Sequence, residues 1–464
     1  MLSELGNGWE SWGILVVSPD GEQILLHREG KNFSLPRIEI PTYERVAANV
    51  NRAVHQGFGI PVVSLYPIVP AGSGDSARAR YHAVAALSKT DDLRGADEWK
   101  LMSSLLVECF RRQLDFSAIH AFRAGLKQKG EGHEASPFLQ PDWFTDVSSW
   151  VADVLRPFAL HLTGSFQQFN ADSLFSLIRF ETNGRAAWFK AVGAGNAREF
   201  PITMALAHSC PARLPKILAS KPEWRAWLAA EASGVCLSTK PDSRAWEDVA
   251  ANLAGLQIMS IPATDTLRSA GARDLTCGSL RLLVEPFFAG FVTSLPASLA
   301  SGGNAISGEE IEEIKNAVLG SLAHLEAVDL PNTLGHLDLN PANIYRTEPG
   351  CVFLDWAEAF IGEPFFSFEY LLQHFRRAVS PGVQQERRFR EAYLIPWREA
   401  VSPDHLQAAF SKVPLAALFA YAATLWSESM KRGDLTIAEE KYLASLMRKM
   451  RRVVSTPRAE TVLS

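Results

Sequence analysis

Three consecutive strand-like segments occupy the middle of the chain, at residues 162–170, 173–181 and 185–192. The last two are separated by Asn183-Gly184, a dipeptide typical of two-residue β-turns, so the three segments predict an antiparallel meander. From Ser243 onward the apolar residues follow helical spacing instead. Strands grouped in one part of the chain and helices in the next predict an α+β fold.

The composition is that of a globular protein. The chain has 464 residues, of which 47% are hydrophobic and 21% charged, and this size allows two or three domains. A formal net charge of -5 gives no general attraction to nucleic acid or to an anionic membrane surface. The basic cluster at 448–452 falls at the end of a predicted helix, where solvated cations favour the negative end of the dipole. We therefore expect no nucleic-acid and no membrane partner.

The cysteines and the apolar stretches indicate a cytoplasmic protein. Five cysteines are scattered without the spacing of zinc ligands, and their odd number does not suggest a disulfide framework. The first twenty residues are too polar for a signal peptide. Residues 413–426 form the longest helix-like apolar stretch, which contains Pro414 and is shorter than the roughly 20 residues that span a bilayer. We expect a buried core helix there.

The chain divides into domains at a polar, turn-rich stretch. Before this stretch, a strand hairpin near residues 13–27, a helix at 42–56, strands at 62–69 and 81–87, and a helical pair at 97–124 predict a small α+β domain. The sequence KQKGEGHEASPFLQP that follows is the best linker candidate. The predicted domains are 1–126, a linker at 127–145, a small lobe at 146–235 and a helical lobe at 236–464.

The segment at 334–345, followed by the apolar strand and Asp-Trp of 351–356, carries the clearest chemistry. Asp338 and Asn343 share one tight loop, and Asp355 ends the strand. Phosphoryl transfer needs such groups together, because a carboxylate accepts the proton of the attacking hydroxyl and oxygen ligands hold Mg²⁺ on the phosphates. In that scheme Asp338 is the base, and Asn343 and Asp355 are the metal ligands.

The alternative for these polar residues is structural. Asp and Asn side chains commonly satisfy backbone groups in turns, and each residue taken singly would be interpreted that way. The H-x-D-x-x-x-x-N spacing followed by an apolar strand ending in Asp is a much rarer combination, and it favours the functional interpretation. For His336, which we group with Asp338 at the catalytic site, we expect a mainly structural role in holding the loop through hydrogen bonds.

The sequence GHLDLNPANIY…FLDW resembles the catalytic segment of the aminoglycoside phosphotransferase family, which includes choline and other small-molecule kinases. The resemblance covers about 151–464. It implies a protein-kinase-like bilobal fold with an antiparallel small lobe and a helical large lobe. It also implies ATP and Mg²⁺ as cofactors, a small-molecule hydroxyl as acceptor, Asp338 as base, and Asn343 and Asp355 as Mg²⁺ ligands.

The same resemblance implies a nucleotide-binding lysine on the third strand of the small lobe. Lys190 ends the third strand of the meander, where an ammonium can bind phosphates as a point charge. Its partner glutamate would lie on the next helix, and Glu199 is the first acid available. The alternative for Glu199 is a carboxylate placed favourably in the first turn of a helix.

Two further nucleotide contacts are predicted around the small lobe. No G-x-G-x-x-G occurs between the first two strands, and the family commonly lacks it, so backbone groups of 164–173 with Ser165 are the candidates for covering the phosphates. An ordinary hairpin turn is the alternative. Residues 227–231, which end at Glu231, fall where such kinases place the hinge that binds adenine through its backbone.

The N-terminal residues resemble the Nudix box more faintly. Four residues match the tail of that box: Arg52, Val54, Gly59 and Ile60. The glutamates of the tail are replaced by Ala53, Gln56 and Gly57, and an earlier glutamate falls on Glu44. Because a Nudix hydrolase holds its metal with clustered carboxylates, a Nudix-like domain here would be catalytically inactive. The alternative is an unrelated small α+β domain.

These observations together predict an ATP- and Mg²⁺-dependent kinase that acts on a hydroxyl of a small molecule. A regulatory pseudokinase with a Nudix-like sensor domain is the alternative, and the intact set of Lys190, Asp338, Asn343 and Asp355 argues against it. A protein kinase is disfavoured because no A-P-E sequence follows Asp355. The acids at 358, 363 and 369 would attract a cationic acceptor, or they are solvated surface acids. The oligomeric state is left open.

Overall fold

The computed structural model describes residues 8–41, 45–70, 80–89, 93, 96–127, 137–239, 242–293, 305–433 and 435–455. The chain divides into two compact units. The first comprises residues 1–200 and 216–231, and the second comprises residues 201–215 and 232–464. The domain boundaries predicted from the sequence stay predictions.

The N-terminal part of the first unit is built on a seven-stranded mixed sheet. Its elements are β1 (Trp9–Val17), β2 (Gln23–Glu29), β3 (Asn32–Ser34), β4 (Arg37–Pro41), α1 (Val46–Phe58), β5 (Val62–Ile68), β6 (Arg80–Ala86), β7 (Asp97–Leu101) and α2 (Gln113–Lys127). The strand order is β3-β2-β1-β6-β5, with β4 paired to β1 and β7 paired to β2. The predicted hairpin is β1–β2, and β1 pairs in parallel with β6.

The helical pair predicted at 97–124 is wrong in its first half. Residues Asp97–Leu101 form β7, which pairs antiparallel with β2 from Gln23 to His27. A run of five residues is too short for its apolar spacing to separate a strand from a helix, and here the unpaired edge of β2 decides the matter. The second half of the prediction corresponds to α2.

The second sheet of the first unit confirms the predicted meander. After α3 (Trp143–Leu155) come β8 (Leu162–Ala171), β9 (Phe175–Thr182), β10 (Ala187–Val192), β11 (Ile217–Lys221) and β12 (Ala226–Ala230). They form a five-stranded sheet in the order β11-β12-β10-β9-β8, and every pair is antiparallel.

One hydrophobic core joins the two sheets of the first unit. Leu15 and Val63 of the N-terminal sheet, Trp143 of α3, and Ile178 and Phe189 of the second sheet belong to the same buried cluster. A linker between separate modules leads one to expect separate cores. The N-terminal sheet instead shares its apolar interior with the small-lobe sheet, so neither can be exposed without uncovering apolar surface.

A buried glutamine of β8 also joins the two sheets, through hydrogen bonds to α1 and β5; we call this contact the junction. The side-chain oxygen of Gln168 accepts hydrogen bonds from the backbone N–H of Ser64 at 2.8 Å and from the amide of Asn51 at 3.0 Å. Its Nε2 donates to the carbonyl of Ser64 at 2.9 Å. A buried backbone group without a partner is costly, and the amide of Gln168 satisfies both main-chain groups of Ser64 on β5.

The second unit is mainly helical, and the fold class is therefore α+β as predicted. Its elements are α4 (Glu199–Ser209, which begins in the first unit), β13 (Val235–Cys236), α5 (Ser243–Ser260), α6 (Thr264–Ser269), β14 (Arg273–Leu275), α7 (Cys277–Thr293), α8 (Gly308–Val328), β15 (Thr333–His336), β16 (Ile344–Thr347), β17 (Gly350–Phe353), β18 (Ala359–Gly362), α9 (Phe365–Val379), α10 (Val383–Trp397), α11 (Pro403–Phe410), α12 (Val413–Arg432) and α13 (Ile437–Ser455). A capping box starts α8, where Ser307 and Glu310 cap each other's backbone N–H.

The apolar stretch at 413–426 lies within α12, and most of its apolar side chains are buried in the core of the second unit. This confirms the predicted core helix. Within the described ranges, no helix taken singly has the length and apolar content to cross a membrane. Helices α11 and α12 meet those criteria only together, as a pair bent by 56°.

Candidate active site

Two short strand pairs of the second unit position the loop around Asp338. Strand β15 leads into the loop and pairs antiparallel with β18, while β16 and β17 form the hairpin that follows. The side chain of Asn340 accepts from the N–H of Ala342 at 2.8 Å and so caps the short 3₁₀ turn Pro341–Asn343. The carbonyl of Asn343 accepts from the N–H of Leu354 at 2.9 Å, which places Asn343 and the start of the Asp355 segment at the same end of the hairpin.

His336 holds this loop from inside. Its imidazole is buried, Nε2 lies 3.0 Å from the carbonyl of Leu354, and Nδ1 accepts from the N–H of Asp338 at 3.0 Å. A backbone N–H can only donate, so Nδ1 carries no proton and Nε2 donates to Leu354. Burial lowers the pKa of His336, which keeps the ring neutral. These contacts support the structural role expected for this histidine.

The carboxylate of Asp338 is partly exposed and has three polar neighbours. Asn343 donates to the main-chain oxygen of Asp338 at 3.1 Å and reaches Oδ2 at 3.4 Å, and Asn340 reaches Oδ1 at 3.3 Å. The hydroxyl of Tyr370, on α9, donates to Oδ1 at 3.3 Å. Burial, together with the charge of Asp338, raises the pKa of Tyr370 far above its ordinary value, so this phenol stays a donor.

Tyr370 is a site residue that the sequence reasoning missed. It lies 32 residues beyond Asp338, on a helix whose apolar residues have the spacing typical of a helix packed against a core. No motif spacing links the two residues, and the contact exists only because α9 packs beside the loop.

The donor chemistry of Asn343 and Asp355 fits a magnesium ion bound to a nucleotide. The amide nitrogen of Asn343 faces the oxygens of Asp338, so its amide oxygen lies on the opposite side. Among the residues that the structure describes, no group of three or more His, Cys, Asp or Glu side chains could hold a metal by itself. Mg²⁺ on a nucleotide is typically bound by one or two carboxylates plus phosphate oxygens and waters, so this smaller set suits it.

The backbone at Asp355 supports a special role for this residue. Asp355 has φ 64° and ψ 66°, in the left-handed region that residues other than glycine seldom adopt. Such a conformation costs on the order of 1 kcal/mol and persists where the surroundings impose it, often at functional sites. Here β17 and the short turn Trp356–Glu358 fix the residue on both sides.

The first unit brings Lys190 and Glu199 together, as the sequence analysis expected of a nucleotide-binding pair. The Nζ of Lys190 lies 2.5 Å from Oε1 of Glu199, and both side chains are buried. Asn196 donates to Oε2 of Glu199 at 2.8 Å, and the ring of Phe175 lies 4.7 Å from the ammonium. A buried ion pair with these additional contacts holds the lysine in one place.

The other two predicted nucleotide contacts lie elsewhere in the small-lobe sheet. Leu177 pairs with both Lys190 and Asn170, so Ser165 sits five residues away along β8, which is roughly 16 Å at strand spacing. Glu231 follows β12, where its N–H donates to the carbonyl of Ala186 and its carboxylate pairs with Arg179 at 2.7 Å. The nucleotide-binding roles of Ser165 and Glu231 stay predictions.

The residues that resemble the Nudix box lie on and just after α1. Val54 is buried, Gln56 and Gly57 are exposed, and Gly59 ends the helix with φ 73°, a conformation that favours glycine. Glu44 lies outside the described residues. The Nudix-like character of the domain stays a prediction.

Residues 193–403 match the model of the phosphotransferase enzyme family. The predicted family resemblance is confirmed for this part of the chain. The match contains His336, Asp338, Asn343, Asp355 and Tyr370. This segment of the chain is therefore similar to the phosphotransferase enzyme family.

Solved structures of small-molecule kinases are similar to the chain at low identity. An ethanolamine kinase of Plasmodium vivax is 13% identical and aligns over 65% of this chain and 85% of its own, with a TM-score of 0.43. A choline/ethanolamine kinase family protein of Mesorhizobium loti is 13% identical over 68% and 95%, with a TM-score of 0.45. A macrolide 2'-phosphotransferase of Brachybacterium faecium is 16% identical over 65% and 98%, with a TM-score of 0.43. The comparison with curated proteins finds no match.

Proposed function

We propose that this phosphotransferase uses ATP and Mg²⁺ and moves the γ-phosphoryl group to a hydroxyl of a small molecule. The observation that carries the proposal is the hydrogen-bonded loop at Asp338, which holds a carboxylate and an amide in the H-x-D-x-x-x-x-N spacing beside Asp355. This donor set matches what phosphoryl transfer requires.

Asp338 is the base in this proposal. The acceptor oxygen attacks the γ-phosphorus, its proton passes to the Asp338 carboxylate, and the bond to the bridging oxygen breaks with the electron pair leaving on ADP. His336 fixes the loop by accepting from the N–H of Asp338, and Tyr370 orients the carboxylate by donating to Oδ1. Tyr370 is thus a positioning residue for the base.

The remaining residues bind the nucleotide and its metal. Asn343 and Asp355 would hold Mg²⁺, which when bound neutralises charge on the phosphates. Lys190 binds the phosphates as a point charge, and Glu199 holds the ammonium in position.

ADP release in the presence of ATP, Mg²⁺ and a panel of polyols, hydroxy acids and amino alcohols tests the proposal. Asp338→Asn should lower transfer by about 10²–10⁴-fold and leave Mg-ATP affinity within a few-fold, because only proton acceptance is lost. Asp265→Asn, at an exposed carboxylate of α6, is the matched control and should behave as the wild type. Full turnover by Asp338→Asn would remove Asp338 from its role.

A nucleotide-binding regulatory pseudokinase is the second candidate. It would bind Mg-ATP with the same residues and show no acceptor-dependent ADP release. The simultaneous presence of the loop carboxylate, the amide, Asp355 and the Lys190–Glu199 pair favours the enzyme.

A further inference from the structure

The N-terminal sheet of the first unit has a cavity of about 390 Å³. Its walls come from β2, β3, β4 and β7, from the end of α1 and from the start of α2. The side chains of His27 and Arg111, which line it, are 47% and 69% exposed, so the cavity is open to solvent. Among the described residues, none of those compared with the Nudix box lines it. Its volume is typical of pockets that hold small organic molecules.

Two carboxylates of the cavity are paired with side chains that line it as well. Glu29 forms an ion pair with Arg111 and accepts a hydrogen bond from the hydroxyl of Ser34 at 2.8 Å. Nδ1 of His27 lies 2.8 Å from Oδ1 of Asp97. Both acids therefore have their partners within the protein.

The third carboxylate of the cavity, Asp115, is buried in its wall. Its Oδ2 accepts from the N–H of Leu35 at 3.1 Å, and its Oδ1 accepts from the hydroxyl of Tyr81 at 2.8 Å. Burial, and next the charge of Asp115, raises the pKa of Tyr81 to about 12, so this phenol stays a donor. Within the described ranges, no cluster of His, Cys, Asp and Glu side chains could hold a metal. The acids of the cavity are thus engaged by the protein, and neither a cation nor a metal suits them.

Two arginines of the cavity have N–H groups that make no hydrogen bond. Arg37 donates from Nε to Oγ of Ser11 at 3.4 Å, whereas its Nη1 is buried and has no hydrogen-bond partner among the described residues. The carboxylate of Asp115 lies 3.9 Å from this Nη1, which is beyond hydrogen-bond distance. The side chain of Arg112 is exposed and makes no ion pair or hydrogen bond in the part of the chain that the structure describes. The cavity therefore offers donors, and a ligand that fits it supplies acceptors.

The two arginines lie on either side of Asp115. Nη1 of Arg37 is 3.9 Å from its carboxylate, and the carbonyl of Arg112 accepts from its backbone N–H at 3.1 Å. Arg112 also directly precedes α2, a helix of 15 residues whose N-terminus carries a partial positive charge. Both guanidinium groups and this helix end favour a negatively charged ligand.

Formal charge decides which anion suits the cavity. Three arginines and three acids line it, so its net charge is zero when His27 is counted as neutral. One added negative charge is easier to accommodate there than the double charge of a phosphate monoester. The rest of the lining includes Leu35, Pro36 and Phe58, which offer apolar surface to the remainder of the ligand.

We propose that this cavity binds a small organic acid. The carboxylate of the ligand is bound by Arg37 and Arg112, whose planar guanidinium groups match the geometry of a carboxylate. Its apolar part, about the size of a ring with a short chain, lies against Phe58 and Leu35. No residue that we assign to phosphoryl transfer lines the cavity, so the inference does not depend on the proposed function.

Four compounds with the same phenylpropyl group test the charge preference: 3-phenylpropionate, 3-phenylpropanol, 3-phenylpropylamine and 3-phenylpropyl phosphate. Calorimetry with the full chain should give a Kd of about 1 mM or lower for 3-phenylpropionate, as expected for a ligand of this size. The alcohol and the amine should bind at least about tenfold more weakly, because they lack a charge-assisted contact. The phosphate should bind no more tightly than the acid.

Two further acids, benzoate and indole-3-propionate, extend the test to a smaller and a larger apolar part. The absence of measurable binding by all three acids would overturn the inference. Binding of the amine as tight as that of the acid would also overturn it. Tighter binding of the phosphate would reject the carboxylate as the recognised group.

Charge variants locate the site. Arg112→Gln and Arg37→Gln should each weaken the binding of 3-phenylpropionate about tenfold or more, and Arg37→Lys should weaken it less, because it keeps the charge and loses the fork. Arg185→Gln, at an exposed arginine between β9 and β10, is the matched control and should bind as the wild type does. Thermal unfolding checks that the variants are folded. Because Arg112 is exposed, its variant decides the matter if Arg37→Gln unfolds, and wild-type affinity in Arg112→Gln would contradict the inference.

Hydrogen exchange and competition separate this cavity from the phosphotransferase site. The ligand 3-phenylpropionate should slow backbone exchange at residues 34–37 and 111–115 and leave residues 336–343 unchanged. Saturating Mg-ADP should leave its Kd within about twofold. Protection at 336–343, or displacement by Mg-ADP, would place the acid at the phosphotransferase site and overturn the inference, whereas loss of transfer activity alone would not affect it.

Discussion

The loop at Asp338 and the junction between α1 and β8 use polar residues in opposite ways. In the loop, both ring nitrogens of the buried His336 form hydrogen bonds with backbone groups. The carboxylate of Asp338 stays partly exposed and can react. At the junction, the side-chain amide of Asn51 donates a hydrogen bond to the buried Gln168, which also accepts one from the backbone N–H of Ser64. A polar residue thus indicates chemistry only where its neighbours leave it something to donate or accept.

Among the variants of the loop at Asp338 and its neighbours, Asp355→Ala should have the largest effect on activity. Loss of a carboxylate that would bind Mg²⁺ should lower kcat/KM on the order of 10³-fold and weaken nucleotide binding in a Mg²⁺-dependent way. Titration of activity with Mg²⁺ measures both effects. Wild-type Mg²⁺ dependence in the variant would show that Asp355 is no ligand.

Lys190→Ala should lower kcat/KM for ATP by about 10²-fold with little change in the acceptor KM, because its charge acts on the phosphates. It also removes the ammonium that pairs with the buried carboxylate of Glu199, which is destabilising. The double variant Lys190→Met with Glu199→Leu should regain thermal stability and not ATP affinity. Lys216→Ala, at an exposed lysine of the first unit, is the control. Recovery of ATP affinity in the double variant would assign the pair to stability alone.

Gln168→Leu should lower the stability of the junction and leave the catalytic residues unaffected. It leaves the N–H and carbonyl of Ser64 buried without partners, which costs about 2–4 kcal/mol. Thermal unfolding should show the loss, and Gln167→Leu, at the exposed neighbour on the same strand, should not. Equal stability of the two variants would mean that the shared core holds the junction without this glutamine.

Glu363 links stability to pH. Its pKa is raised from 4.5 to about 8 by burial, so the protonated form favours the folded state. This contribution is complete below about pH 4.5 and is lost as the pH rises toward 8. Glu363→Gln should therefore remove that part of the pH dependence and stabilise the protein at pH 8 by up to about 4 kcal/mol. Denaturant unfolding at pH 5 and pH 8 measures the change, with the exposed Glu399→Gln as control; parallel curves for wild type and Glu363→Gln would contradict it.

Tyr370→Phe should have the smallest effect. Loss of one 3.3 Å donor to Asp338 should lower kcat about three- to tenfold, with an unchanged KM for ATP. Tyr66→Phe in the first unit is the control. An unchanged kcat in Tyr370→Phe would mean that Tyr370 only packs.

Local signals in the sequence explain which elements were predicted correctly. The Asn183-Gly184 turn and the spacing from His336 to Asn343 each depend on residues a few positions apart. The strand Asp97–Leu101 was predicted as helix because its five residues carry no decisive period, and pairing with β2 settled its conformation.

The sequence alone determined the antiparallel meander at 162–192, the loop that holds Asp338 and Asn343, and the lysine on the third strand of the meander, because turn chemistry and periodicity act over short distances. Tertiary structure decided the rest. Gln168 meets Ser64 across 104 residues, and Tyr370 meets Asp338 across 32. Such contacts follow from how apolar faces pack, and no local spacing encodes which polar residues that packing brings together.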